Sequence, residues 1–208
     1  DGDGLISLEE WSEAFPGLPE SDPSTQPMLA ELVLQPAAMH IGAPLRHLGV
    51  DEFYFDDWVR GGNSILRAIH YPPITTEPDS AVRAGQHEDI NLITLLVGAS
   101  ASGLEVLRND NTWIPITALP EHIVVNVGDM LQRLTNHRLK STTHRVVNPP
   151  RAEWGKPRFS MPFFCHPQPD MRLDAMAHLV EAGAEPLDPP ISAGEYLEQR
   201  LREIGLAK

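Results

Sequence analysis

The chain has 208 residues, 41% of them hydrophobic and 22% charged, an ordinary balance for a globular protein with a sizeable core. Its formal net charge of −13 argues against a general binder of nucleic acid or of an anionic membrane. A lone cysteine, Cys165, excludes an intrachain disulfide and makes the reducing cytoplasm the expected compartment, and no apolar run approaches the ~20 residues of a membrane span.

The acidity is concentrated early. Residues 1–60 carry twelve Asp and Glu against Arg46 and Arg60 alone. Asp1, Asp3, Gly4, Ile6 and Glu10 have the spacing of the back half of an EF-hand loop, so residues 1–15 form a partial EF-hand-like segment with calcium as its expected ion. Half such a loop binds calcium poorly, and an acidic helix start stabilised by the helix dipole is the favoured reading of these residues. Residues 16–27 hold four prolines and read as a linker. The remainder, 28–208, reads as one domain.

Met28 to Val50 is an interrupted helical region, broken by Pro36, Gly42 and Pro44. Asp51 to Arg60 has the pattern of a short amphipathic helix ended by Gly61 and Gly62. From Ser64 the texture becomes that of strands: 64–71, 90–97, 104–107, 113–116, 122–127, 142–148 and 158–166, separated by Gly, Asn and Pro clusters. Asn109 to Asn111 suits a hairpin turn, and Gly128 to Leu134 a short helix closed by Asn136. Helices are expected again over 174–182 and 192–204, the second with Ser192 as N-cap, Glu195 three residues on and Gly205 as stop. The sum is a mainly β fold, a sandwich or jelly roll with a core at about 64–168 and C-terminal helices within 170–206.

Within that frame a small set of side chains carries chemistry. His87 and Asp89 stand two apart at the head of the strand expected at 90–97, so they project together. With His144 on a separate strand they make a 2-His-1-carboxylate set, the facial triad of non-haem Fe(II). Arg158 and Ser160 share a strand face, and a guanidinium beside a hydroxyl suits a carboxylate. Asn91, on the parity of the ligands, would touch substrate or support a ligand. Asn126 and Asp129 read as caps of a strand-to-helix turn, Glu88 as solvated, His70 as facing away from Tyr71, and Cys165 as a small core residue.

Five motifs in order carry a resemblance: Leu66-Arg67 with Tyr71, Pro72 and Pro73; His87 with Asp89; Val125 to Leu131; Ser141 to Val146; and Arg158 with Ser160. Over about 51–206 the chain resembles the C-terminal oxygenase domain of the isopenicillin N synthase-like family, bacterial-type members above all. The resemblance implies a double-stranded β-helix (jelly roll) with flanking α-helices, here lacking the family's usual N-terminal region. It implies His87, Asp89 and His144 as Fe(II) ligands, and Arg158, Ser160 and Tyr71 as contacts of 2-oxoglutarate. Ile69 stands where plant members commonly carry an Asn. The implied activity is oxidation of a small molecule by O2, by hydroxylation, desaturation or ring closure, with release of succinate and CO2. Relatives with the same Arg-x-Ser pair that do not use 2-oxoglutarate keep a 2-oxoglutarate-independent oxidase open, and a non-catalytic module on the same fold is the third alternative. Nucleic acid and membrane are not expected partners.

Overall fold

The computed structural model describes residues 46–97, 99–116 and 123–206. The partial EF-hand-like segment, the linker and most of the interrupted helical region lie outside the described residues.

Among the described residues, nine antiparallel strands form two sheets facing one another. Strands β1 (Ile65–Leu66), β2 (Ile69–Tyr71), β4 (Ile93–Val97), β7 (Ile123–Val127) and β9 (Arg158–Cys165) make the larger sheet, in which β9 pairs with β1, β2 and β4 and β7 closes the far edge. Strands β3 (Ala84–His87), β8 (His144–Val146), β5 (Leu104–Leu107) and β6 (Trp113–Pro115) make the smaller one in that order. This is the expected jelly roll.

The central strand β9 is buried along most of its length, and its alternation explains the architecture. Phe163 and Cys165 point outward with Ile93 and Leu95. There they meet Phe55 and Val59 of the segment containing α1 (Asp56–Val59), and Met130, Leu131 and Leu134 of α2 (Asp129–Leu134). Cys165 is fully buried, and burial pushes its thiol up to about 12, so it behaves as a small apolar residue. Arg158, Ser160, Pro162 and Phe164 point the other way, into a cavity between the sheets.

One strand was expected over 64–71, but two are found. Opposite the break stands Pro162, whose carbonyl accepts from the Arg67 N–H at 3.0 Å but which has no N–H to return. The ladder therefore stops and restarts on either side of it. The helix expected over Asp51–Arg60 contracts to α1, the strand 90–97 begins only at Ile93, and 142–148 shortens to His144–Val146. The helix expected over 174–182 is absent, leaving one 3-10 turn at Ala177–Leu179. Met176 and Val180 on either side of that turn are extended, at ψ 124° and 133°, so it cannot propagate into a helix. By contrast, the last helix, α3 (Ala193–Glu203), has the full capping box. Ser192 Oγ accepts from the Glu195 N–H and Glu195 Oε2 from the Ser192 N–H, and Gly205 ends it at φ +76°. Asn111 (φ 62°), in the turn expected at 109–111, and Asn136 (φ 47°), just after α2, both adopt the left-handed conformation.

Gly128 joins β7 to α2 under a tight steric constraint. A Cβ there would lie 2.2 Å from the Asn91 carbonyl oxygen. Gly128→Ala is expected to destabilise the protein by about 1–3 kcal/mol through forced backbone displacement, read as a lower midpoint in urea unfolding.

Candidate active site

His87 ends β3 and His144 opens β8, and the two residues are direct partners across that ladder. Their ring centroids are 4.3 Å apart. Asp89 lies in the turn that carries the chain from β3 across to β4. The expected strand at 90–97 therefore does not begin at the His-x-Asp pair. His87 belongs to the smaller sheet, and Asp89 is delivered by a crossover between sheets. Strand β3 escaped the sequence reading because Ala84, Gly85 and Gln86 carry no β-branched or aromatic signal.

The three side chains present one donor atom each within 4.8 Å of one another. His87 Nε2 and His144 Nε2 both stand 3.9 Å from Asp89 Oδ1. What the remaining atoms do decides their chemistry. His87 Nδ1 is 2.7 Å from the Gly85 carbonyl and His144 Nδ1 is 2.9 Å from the Thr142 carbonyl. A carbonyl only accepts, so in each neutral ring Nδ1 carries the proton and Nε2 presents its lone pair. Asp89 Oδ2 accepts from Thr94 Oγ1 at 2.5 Å and from Asn126 Nδ2 at 2.9 Å, which leaves Oδ1 for the histidines. Two neutral imidazole nitrogens and one carboxylate oxygen, each fixed from behind, form a donor set that fits a divalent transition metal and leaves part of its coordination sphere open. The His87 side chain is 46% exposed, His144 15% and Asp89 5%, so the set is open to solvent on the His87 side.

The support behind Asp89 was only partly expected. Asn91 is not on the cavity wall; its Nδ2 donates to Thr94 Oγ1, so it acts at second hand. Asn126 is no cap, since its amide holds Asp89. Asp129 is no cap either: the N-cap of α2 is Gly128, which makes no side-chain cap, while the Asp129 N–H donates to the Asp89 carbonyl at 2.8 Å. The Asp129 carboxylate is buried, and that burial raises its pKa; it accepts from Tyr196 Oη at 3.3 Å and stands 3.6 Å from Arg200 Nε. Helix α3 thus braces the turn that carries Asp89. Glu88, expected in solvent, accepts from Thr143 Oγ1 at 2.7 Å and ties the turn to the segment entering β8. His70 does face away from Tyr71, stacked on Phe159 at 4.9 Å. Asn126→Ala is expected to weaken divalent metal binding about tenfold, measured by titration of the metal-free protein, because Asp89 loses one of the two bonds that select its free oxygen.

His166 follows β9 and is buried, and burial pushes its pKa down to about 4. The unfolded chain accepts a proton there near the ordinary histidine value, while the folded chain does so only near 4. Stability of the metal-free protein should therefore fall as pH drops through that window, and His166→Gln should flatten the profile in pH-dependent thermal melts.

The triad opens onto a cavity of about 330 Å³. Tyr71, Arg158 and Ser160 are all on its wall, with Tyr71 and Arg158 direct partners between β2 and β9. Arg158 is 1% exposed and Ser160 4%. Arg158 Nε donates to the Ala101 carbonyl at 3.2 Å, but Nη1 is buried without a partner among the described residues. A buried guanidinium edge without an acceptor is costly unless an anion meets it. Burial lowers the Arg158 pKa, the Tyr71 hydroxyl opposes that shift and the Arg83 cation adds to it. Arg83, not singled out from the sequence, stands on the same wall. The geometry fits a ligand that meets the metal at one end and carries a carboxylate at the other.

A family model for the 2OG-Fe(II) oxygenase superfamily matches residues 62–167, which contain the triad and the Arg-x-Ser pair. The chain belongs to this superfamily. It is 35% identical over 153 residues to a 2-oxoglutarate-Fe(II) type oxidoreductase of Emericella nidulans, covering 72% of this chain and 43% of that protein. It is 36% identical to gibberellin 3-beta-dioxygenase 1 of Arabidopsis thaliana, covering 68% and 38%. The chain thus spans less than half the length of these curated relatives. Among solved structures, a full-length Neurospora crassa protein in complex with alpha-KG matches at a TM-score of 0.80 and 35% identity, over 90% of this chain and 62% of that one. A 2OG-Fe(II) oxygenase family protein of Caulobacter crescentus matches at 0.79 and 41%, over 91% and 66%.

Proposed function

We propose that this chain is the catalytic part of an Fe(II)- and 2-oxoglutarate-dependent oxygenase that oxidises a small molecule, with His87, Asp89 and His144 as the iron ligands. Arg158 and Ser160 hold the distal carboxylate of 2-oxoglutarate, and Tyr71 packs beside them. The observation that carries this reading is the convergence of two free Nε2 atoms and one free Oδ1, each selected by a hydrogen bond to its opposite atom. Bound iron with 2-oxoglutarate supplies the oxidising power, drawn from O2 and the loss of CO2. The protein's own tasks are positional. Thr94 and Asn126 keep Asp89 Oδ1 aimed at the metal. The Gly85 and Thr142 carbonyls hold the imidazole tautomers. Leu96, Val106 and Val124 line the wall with apolar surface that disfavours water beside the reacting groups. We place the chain in the isopenicillin N synthase-like branch and in the cytoplasm; among the described residues no helix is long and apolar enough to cross a membrane.

The test is anaerobic titration with Fe(II), followed by exposure to O2 and 2-oxoglutarate with a panel of small metabolites. One iron per chain and succinate released in step with an oxidised metabolite are expected. Substrate oxidation without succinate would reject the 2-oxoglutarate reading, and failure to bind iron would reject the enzyme.

A further inference from the structure

The co-substrate end of the cavity holds more positive charge than one carboxylate neutralises. Arg158 and Arg83 both line it, and both reach the same tyrosine: Arg158 Cζ lies 5.0 Å and Arg83 Cζ 5.9 Å from the Tyr71 ring centroid. Among the described residues no ion pair joins either guanidinium to a carboxylate, and no acid other than the Tyr71 hydroxyl perturbs either. Arg83 donates from Nη2 to the Lys156 carbonyl at 3.3 Å, while its Nε is buried without a partner among those residues. Two cations with one orphaned donor each, and no anion between them, repel one another until an anion arrives.

Resting on the 2-oxoglutarate reading, we propose that Arg83 is a second anchoring residue for the distal carboxylate, sharing Tyr71 with Arg158. It sets the preference for oxo acids that carry that carboxylate. Arg158 supplies a fixed, buried fork; Arg83, half-buried, supplies field and a second donor edge. The arrangement has a signature that a structural arginine lacks. Removing Arg83 relieves repulsion in the empty protein and weakens the anion-bound one, so binding falls while the fold does not.

The test is calorimetric binding of 2-oxoglutarate and of 2-oxopentanoate, which has the same chain without the distal carboxylate, to the protein loaded with redox-silent Mn(II). In Arg83→Gln the dissociation constant for 2-oxoglutarate should rise about tenfold, with 2-oxopentanoate unchanged, and the melting temperature of the ligand-free protein should not fall. Arg83→Lys, which keeps the charge, should recover part of the loss. Equal affinity for 2-oxoglutarate in wild type and Arg83→Gln, alongside its loss in Arg158→Gln, would overturn the role of Arg83 and leave the function standing. Equal weakening of both oxo acids would also overturn it. A wild-type protein that binds neither would overturn both proposals.

Discussion

His144→Ala should leave the chain folded but unable to retain iron. Two of the three donors would remain, both centred on the turn at residues 87–89, and a divalent ion held from one side exchanges freely with water. A fall in metal affinity of at least about a hundredfold is expected, since outer partners of ligands alone account for tenfold to hundredfold effects. Oxygenase turnover should vanish with it. The side chain is 15% exposed and its hydrogen bond goes to the backbone two residues away, so thermal stability of the metal-free protein should change by no more than about 1 kcal/mol. Iron titration and melting on the same sample separate the two effects. Unchanged iron binding would mean that the convergent donors are not the metal site.

Arg158→Gln should have the second largest effect, and of a different kind. Iron binding should persist, while the dissociation constant for 2-oxoglutarate rises about a hundredfold, because the buried guanidinium whose Nη1 lacks a partner is lost from the cavity wall. Lysine at this position keeps the charge but not the planar fork, so Arg158→Lys should restore only part of the affinity. The metal-free protein should lose little, because the substitution removes a buried charge whose Nη1 lacks a partner among the described residues. The measurement is 2-oxoglutarate titration of the metal-loaded variants, with iron occupancy determined in parallel.

The parts of this molecule legible in the sequence were those written in local spacing. The Ser192–Glu195 capping box, the turn at Asn109–Asn111 and the alternation that puts Arg158 and Ser160 on one face each depend on a few neighbouring residues, and each is found as expected. His87, Asp89 and His144 were legible as a set, though not in the way they come together. The expected geometry was two side chains on one face of a strand; the found geometry is a crossover, in which His87 closes β3 of one sheet and Asp89 is reached on the way to β4 of the other. Strand β3 is made by pairing with β8 rather than by propensity, so nothing local announces it. The roles of Asn126 and Asp129 were hidden for a related reason. At the turn into α2 a capping residue is the common local use, while their partner Asp89 lies some forty residues earlier. Arg83 was passed over because a single arginine at a strand edge has no pattern of its own; only the cavity reveals that it shares Tyr71 with Arg158. The absent helix at 174–182 is the converse case, a local preference overridden where the backbone is extended at Met176 and Val180.

The crossover at Asp89 has a consequence for the molecule as a mechanical object. The two histidines belong to the four-stranded sheet, while the carboxylate between them is gripped by Thr94 and Asn126 of the five-stranded sheet. A bound ion is therefore a rivet through both layers of the sandwich. Its affinity becomes part of the folding equilibrium: at a free concentration a thousandfold above its dissociation constant it would add about 4 kcal/mol to stability. Melting temperature should climb with free metal, and a chelator should loosen β3 and β8 of the smaller sheet from the larger sheet, where amide exchange would quicken first.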